Sequence, residues 1–99
     1  MSLSVERTTE QQLVRILKAL ADETRLKIVQ KLAAGESACN ALNCDFNLTG
    51  ATMSHHLKIL QDCGLIERRK EGQVSYNKLN SKLFKSFQKE LSSFVSSAK

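Results

Sequence analysis

Apolar residues recur at helical spacing along most of this chain, and at strand spacing in one stretch. Leu13, Ile16, Leu17 and Leu20 fall at i, i+3, i+4 and i+7, which predicts a first helix over about Thr9 to Ala21. Asp22 is a good N-cap for a second helix, with Glu23 in its first turn near the positive end of the helix dipole. Leu26, Ile28, Val29 and Leu32 supply its apolar positions, and Gly35 ends it. Ser37 is placed to cap a short third helix carrying Cys39, Leu42 and Phe46 at i, i+3 and i+7, and Asn47 suits a left-handed turn after it.

A fourth helix lies within Leu48 to Gly64. Thr49 is its N-cap, Gly64 follows its end, and Met53, Leu57 and Leu60 mark one buried face. The pattern then shortens. Leu65 to Lys70 and Gln73 to Leu79 flank Glu71-Gly72, which predicts a β-hairpin with glycine in the turn. From about Ser81 to Ser96 helical spacing returns, with Phe84, Phe87, Leu91, Phe94 and Val95 on one stripe. That stripe needs a cover, either the first helix or a second subunit.

The outer face of the fourth helix changes the picture from fold to chemistry. Ala51, Ser54, His55 and Lys58 fall at i, i+3, i+4 and i+7. The face is small at its N-terminal end and carries hydrogen-bonding groups and a cation, the combination a helix needs to enter a DNA major groove. Composition agrees: 15 Lys and Arg against 10 Asp and Glu give a net charge of +5, which favours a polyanionic partner. The 41% hydrophobic content suits one folded domain over residues 1–99 and argues against disorder. There is no long apolar run, so no membrane partner is expected, and Met1 to Glu10 lacks the apolar core of a signal peptide. A cytoplasmic location follows by default. No cofactor loop, clustered carboxylates or nucleophile–base pair is visible, so no enzyme activity and no cofactor are expected. His55 and His56 are neighbours and point in different directions on a helix, which prevents joint chelation.

The fold class expected is mainly α (α+β), a winged helix-turn-helix in the order α-α-α-α-β-β-α. From Leu17 to Leu79 the chain resembles the ArsR/SmtB family of bacterial winged-helix repressors. Leu17-Lys18-Ala19-Leu20-Ala21-Asp22-Glu23-Thr24-Arg25-Leu26-Lys27-Ile28 is similar to the family's "ALADPTRLRIL" opening. Thr52 to Leu60 is similar to its "TVSHHLKVL" recognition helix, and Cys63 to Gly72 to its "AGLVRRRREG" entry into the wing. The resemblance implies a homodimer built from the first and last helices. It also implies binding to a palindromic operator in double-stranded DNA and release by an effector.

The chain departs from the family where many members hold metal. A motif like E-L-C-V-C-D-L on the third helix corresponds here to Glu36-Ser37-Ala38-Cys39-Asn40-Ala41-Leu42, with both ligand positions lost, to Ala38 and Asn40. The last helix has neither histidine nor aspartate. A transition-metal site needs several converging soft or imidazole ligands, so metal sensing is not expected and the effector stays unknown. Three cysteines without C-x-x-C spacing read as reduced thiols. Cys39 shares a face with Leu42 and Phe46 and reads as buried. Cys44 and Cys63 are the candidate redox thiols, which need a lowered pKa and access to react. A thiol-sensing repressor and a winged-helix module for protein–protein contacts are the alternative functions.

Three groups of DNA contacts are expected. Thr49, Gly50, Ala51 and Thr52 bring hydroxyls, small bulk and free N–H groups to the start of the fourth helix, set against a plain N-cap. Ser54 and His55 are candidates for base edges or phosphate and Lys58 for phosphate, while His56 reads as structural. Arg68, Arg69 and Lys70 enter the wing, alternation sending Arg69 to the opposite side from the other two. Gln73 stands where family members often carry a basic residue, which weakens the tip contact. Tyr76 reads as a packing residue. Arg25 is open between a phosphate contact and an ion pair with Asp22 or Glu23.

Overall fold

A computed structural model describes residues 9–97. The elements run α1 (Glu10–Leu20), α2 (Glu23–Ala33), β1 (Ser37–Ala38), α3 (Cys39–Phe46), α4 (Gly50–Asp62), β2 (Ile66–Glu71), β3 (Val74–Leu79) and α5 (Ser81–Ser97). The expectation that the chain start carries no targeting segment rests mostly on residues 1–8, outside the described residues. Among the described residues no helix is long and apolar enough to cross a membrane.

The helices start where the sequence places their caps. Thr9 and Gln12 form a capping box, with Gln12 N donating to Thr9 Oγ1 at 3.2 Å and Thr9 N to Gln12 Oε1 at 3.0 Å. Asp22 Oδ2 accepts from Arg25 N at 3.0 Å, and Thr49 Oγ1 from Thr52 N at 3.2 Å. Asn47 takes the left-handed conformation, φ 55°, in the turn between α3 and α4.

Two boundaries differ from expectation. Ser37 does not cap α3: the helix has no side-chain cap, and Ser37 and Ala38 instead pair with Asn77 and Tyr76 as a third, edge strand. The sheet order is therefore β1-β3-β2. Two residues are too few to show strand alternation, and a serine before a helix reads as a cap whenever its backbone partner lies far away in sequence. The hairpin turn is Gly72-Gln73, not Glu71-Gly72, because Glu71 still pairs with Val74. Gly72, at φ 63°, makes the tight reversal.

The core is shared by all layers: Leu13, Ile16 and Ala19 of α1, Ile28, Val29 and Leu32 of α2, Leu42 of α3, Met53, Leu57 and Leu60 of α4, then Leu65, Ile66, Leu79 and Phe87. Leu17 and Leu26, expected at apolar positions, are 41% and 45% exposed, while Ala19 of α1 lies inside. Leu17 joins Val14 on α1 and Leu91, Phe94 and Val95 on α5, the last 73% exposed, as large apolar side chains left in solvent. The end of α4 is fixed by Gly64. Its φ of 90° allows Leu65 N to return to Leu60 O at 3.0 Å, and a Cβ there would sit 3.0 Å from Leu83 Cδ2. Asn80 then ties this corner to α5, donating to Gly64 O at 3.2 Å and accepting from Leu83 N at 3.1 Å.

Candidate nucleic-acid interface

Helix α4 is anchored from one side and presented on the other. Met53, Leu57 and Leu60 are fully buried, which fixes the rotation of the helix about its axis. The same periodicity leaves Thr49, Gly50, Ala51, Thr52, Ser54, His55 and Lys58 exposed. Thr49 Oγ1 accepts from Thr52 N and donates to Thr52 Oγ1 at 2.9 Å, so the first turn is ordered before any ligand arrives. Ser54 and His55 hold no hydrogen bond or ion pair among the described residues. Lys58 reaches Asp62 Oδ2 at 3.7 Å, an i,i+4 pair that is largely solvated.

His56 turns inward, as the sequence suggests. Its side chain is largely buried, and Nδ1 lies 3.3 Å from Arg25 NH1 and 4.0 Å from Asp22 Oδ2. A guanidinium only donates, so Nδ1 accepts and the ring proton of the neutral tautomer is assigned to Nε2. Arg25 uses its other arm on the last turn of α1, with Nε donating to Ala19 O at 2.6 Å. The side chain thus clasps α1 to α4 and makes no ion pair with Asp22 or Glu23 among the described residues. The backbone N–H of Arg25 and then its charge hold the Asp22 carboxyl below its ordinary value.

The wing is organised around Arg69. NH2 donates to Glu36 Oε1 at 2.9 Å, NH1 lies 3.3 Å from Glu71 Oε1, and the guanidinium sits 4.6 Å from the centre of the Tyr76 ring. The two carboxylates raise the Arg69 pKa further above its ordinary value. Arg68 and Lys70 are on the other face, as alternation requires. Arg68 is paired in register with Asn77, and Arg68 Nε and Asn77 Oδ1 are both buried without a partner. Lys70 is exposed opposite Ser75. Gln61 at the end of α4 closes the space toward the wing, so that Gln61, Arg68, Arg69, Lys70 and Ser75 line one open cleft.

Glu36 and Gln61 were not visible as site residues in the sequence. Glu36 is thirty-three positions from Arg69, and no local spacing links an acid in one loop to a base in a distant strand. Gln61 follows the exposed stripe at i+3 from Lys58, a signal that was available but weak.

The cysteines are three free thiols. Cys39 is half-buried against Leu42 and the core, and Cys44 is exposed. Cys63 is half-buried and its Sγ donates to Leu60 O at 3.3 Å, and burial pushes its pKa up, away from the thiolate a redox switch uses. Among the described residues no group of three or more His, Cys, Asp and Glu side chains is placed to hold a metal ion.

Comparison with known proteins gives consistent results. Residues 22–68 match the family described as bacterial regulatory protein, arsR family. The chain is 41% identical to the arsenical resistance operon repressor of Staphylococcus aureus over 70% of its length and 66% of that protein. It is 35% identical to the transcriptional repressor SdpR of Bacillus subtilis, over 67% of this chain and 73% of the relative. Among solved structures, the homodimeric winged helix-turn-helix DNA-binding domain Mb0332 of Mycobacterium bovis superposes with a TM-score of 0.72. The identity is 33%, with 88% of this chain and 80% of that one covered.

Proposed function

Because this chain belongs to the bacterial ArsR family of winged helix-turn-helix regulators, we propose that it is a dimeric transcriptional repressor, cytoplasmic, whose two α4 helices read a palindromic operator. The observation that carries this reading is the exposed polar stripe of α4 above its fully buried apolar face. Thr49 and Thr52 and the free N–H groups of the first turn engage phosphate, and Gly50 and Ala51 let the backbone approach. Ser54 and His55 meet base edges, and Lys58 meets the backbone. In the wing Arg68 and Lys70 contact phosphate, and Arg69 acts through the shape of the hairpin it braces.

The dimer buries Val14 and Leu17 of α1 with Leu91, Phe94 and Val95 of α5, five apolar side chains that the monomer leaves in water. The Mycobacterium bovis neighbour, titled homodimeric, supports this arrangement. Two copies related by a two-fold axis place their α4 helices on half-sites about one helical turn apart. The releasing signal is not a metal ion: Ala38 is locked into β1 and Asn40 carries no metal-binding thiolate, at the two positions where metal-sensing members hold cysteine. The raised pKa of Cys63 weighs against a thiol signal at that residue.

A mobility-shift assay on random duplex DNA at low salt separates this function from a protein-contact module. Retardation that weakens as salt rises supports the repressor reading. No retardation at micromolar protein contradicts it.

A further inference from the structure

Beside the exposed stripe, α1, the start of α2 and the end of α4 border an open groove of 330 Å³. That is room for several waters or for a small organic molecule. Three cations line it, Arg15, Lys18 and Arg25, against the single carboxylate of Asp62. The two guanidinium groups are held in place by neutral acceptors. Arg15 NH2 donates to the main-chain oxygen of Asp62 at 2.9 Å, and Arg25 donates to Ala19 O and faces His56 Nδ1. The helix ends they cap carry only partial negative charge. The Asp62 carboxylate lies 3.7 Å from Lys58, and Lys18 holds no ion pair among the described residues. The Asp22 carboxylate, which feels the Arg25 charge, offsets part of this, and the groove keeps a positive surplus with several guanidinium N–H groups still unspent.

The rest of the lining is apolar. Ala19 is buried, Ile59 packs on the core, and Cys63 keeps its proton and turns it to Leu60 O. Arg15 lies about 160° from Leu17 around α1, while Lys18 follows Val14 by about one turn and borders the apolar face that two copies would share.

We propose that this groove binds a small organic anion, its anionic head held by Arg15, Lys18 and Arg25 and its apolar body lying against Ala19, Ile59 and Cys63. Occupancy is felt on α4 through Arg25, which touches His56, the neighbour of His55. The groove adjoins the DNA surface at Asp62, which pairs with Lys58, yet direct binding of a small anion tests it whether or not the operator reading holds.

The experiment is a nuclear magnetic resonance titration of the full chain with benzoate, inorganic phosphate and benzyl alcohol in parallel. Benzoate is expected to give saturable shifts at Ala19, Ile59 and Cys63 and at the His56 ring. Phosphate, a head without a body, moves the same residues at higher concentration, and benzyl alcohol, a body without charge, leaves them in place. Lys18→Gln, at an exposed position whose side chain holds no ion pair among the described residues, keeps the native spectrum and weakens benzoate about two- to fivefold. Shifts that do not saturate, that centre elsewhere, that benzyl alcohol reproduces, or that survive Lys18→Gln at full affinity overturn the site. Saturable shifts that leave His56 unmoved overturn the relay.

Discussion

Helix α4 and the wing both turn basic and polar groups outward, yet they handle them in opposite ways. On α4, Ser54 and His55 hold no hydrogen bond or ion pair among the described residues, because rigidity comes from the far side, where Met53, Leu57 and Leu60 are fixed in the core. The wing has no such far side. Beyond Arg68, β2 is exposed on every residue, so this part of the ribbon has no apolar face to lock it. Its stiffness comes instead from surface chemistry, with Arg69 gripped by Glu36 and Glu71 and laid against Tyr76. A helix supported by a core can leave its side chains free to discriminate bases. A ribbon without one commits some of them to holding its own shape.

The largest break in this contrast is expected at the support of α4. Leu57→Ala removes a fully buried side chain and should cost about 2–5 kcal/mol of stability in urea unfolding. A cost under about 1 kcal/mol would mean that the helix is not held by that face. His55→Ala should leave unfolding unchanged and weaken the cognate site by about 1–3 kcal/mol while sparing random DNA, measured by fluorescence anisotropy at fixed salt. Lys70→Ala should weaken all sequences alike and reduce the salt slope by about one. The smallest effect sharpens the wing. Glu36→Gln should change stability by less than about 1 kcal/mol, leave the salt slope unaltered and speed amide exchange in β2. A steeper slope would mean that Arg69, once released, goes to phosphate and that its role as a brace is secondary.

The helices and their caps were legible in the sequence because each depends on residues a few positions apart. Thr9, Asp22 and Thr49 cap where spacing placed them, and Met53, Leu57 and Leu60 face inward as their period demands. What escaped depends on distant pairing. Strand β1 exists because Ser37 and Ala38 meet β3 forty residues later, and Arg69 finds Glu36 across a similar separation. Leu17 and Leu26 have the right period for a core, but periodicity alone does not decide which edge of an apolar stripe faces inward. Of the candidate site, the exposed residues of α4 could be read from period and capping. The bracing of the wing and the cationic groove between α1 and the end of α4 could not, since both assemble from separate elements.

Selection of bound duplexes from a random pool, run in parallel with the wild-type chain and with Ser54→Ala/His55→Ala, tests the reading role of α4 most directly. The wild type should enrich a two-fold symmetric sequence with half-sites about one helical turn apart, and the variant should still bind DNA but lose the preferred bases. Enrichment of the same sequence by both proteins would contradict the assignment of base reading to the exposed stripe of α4.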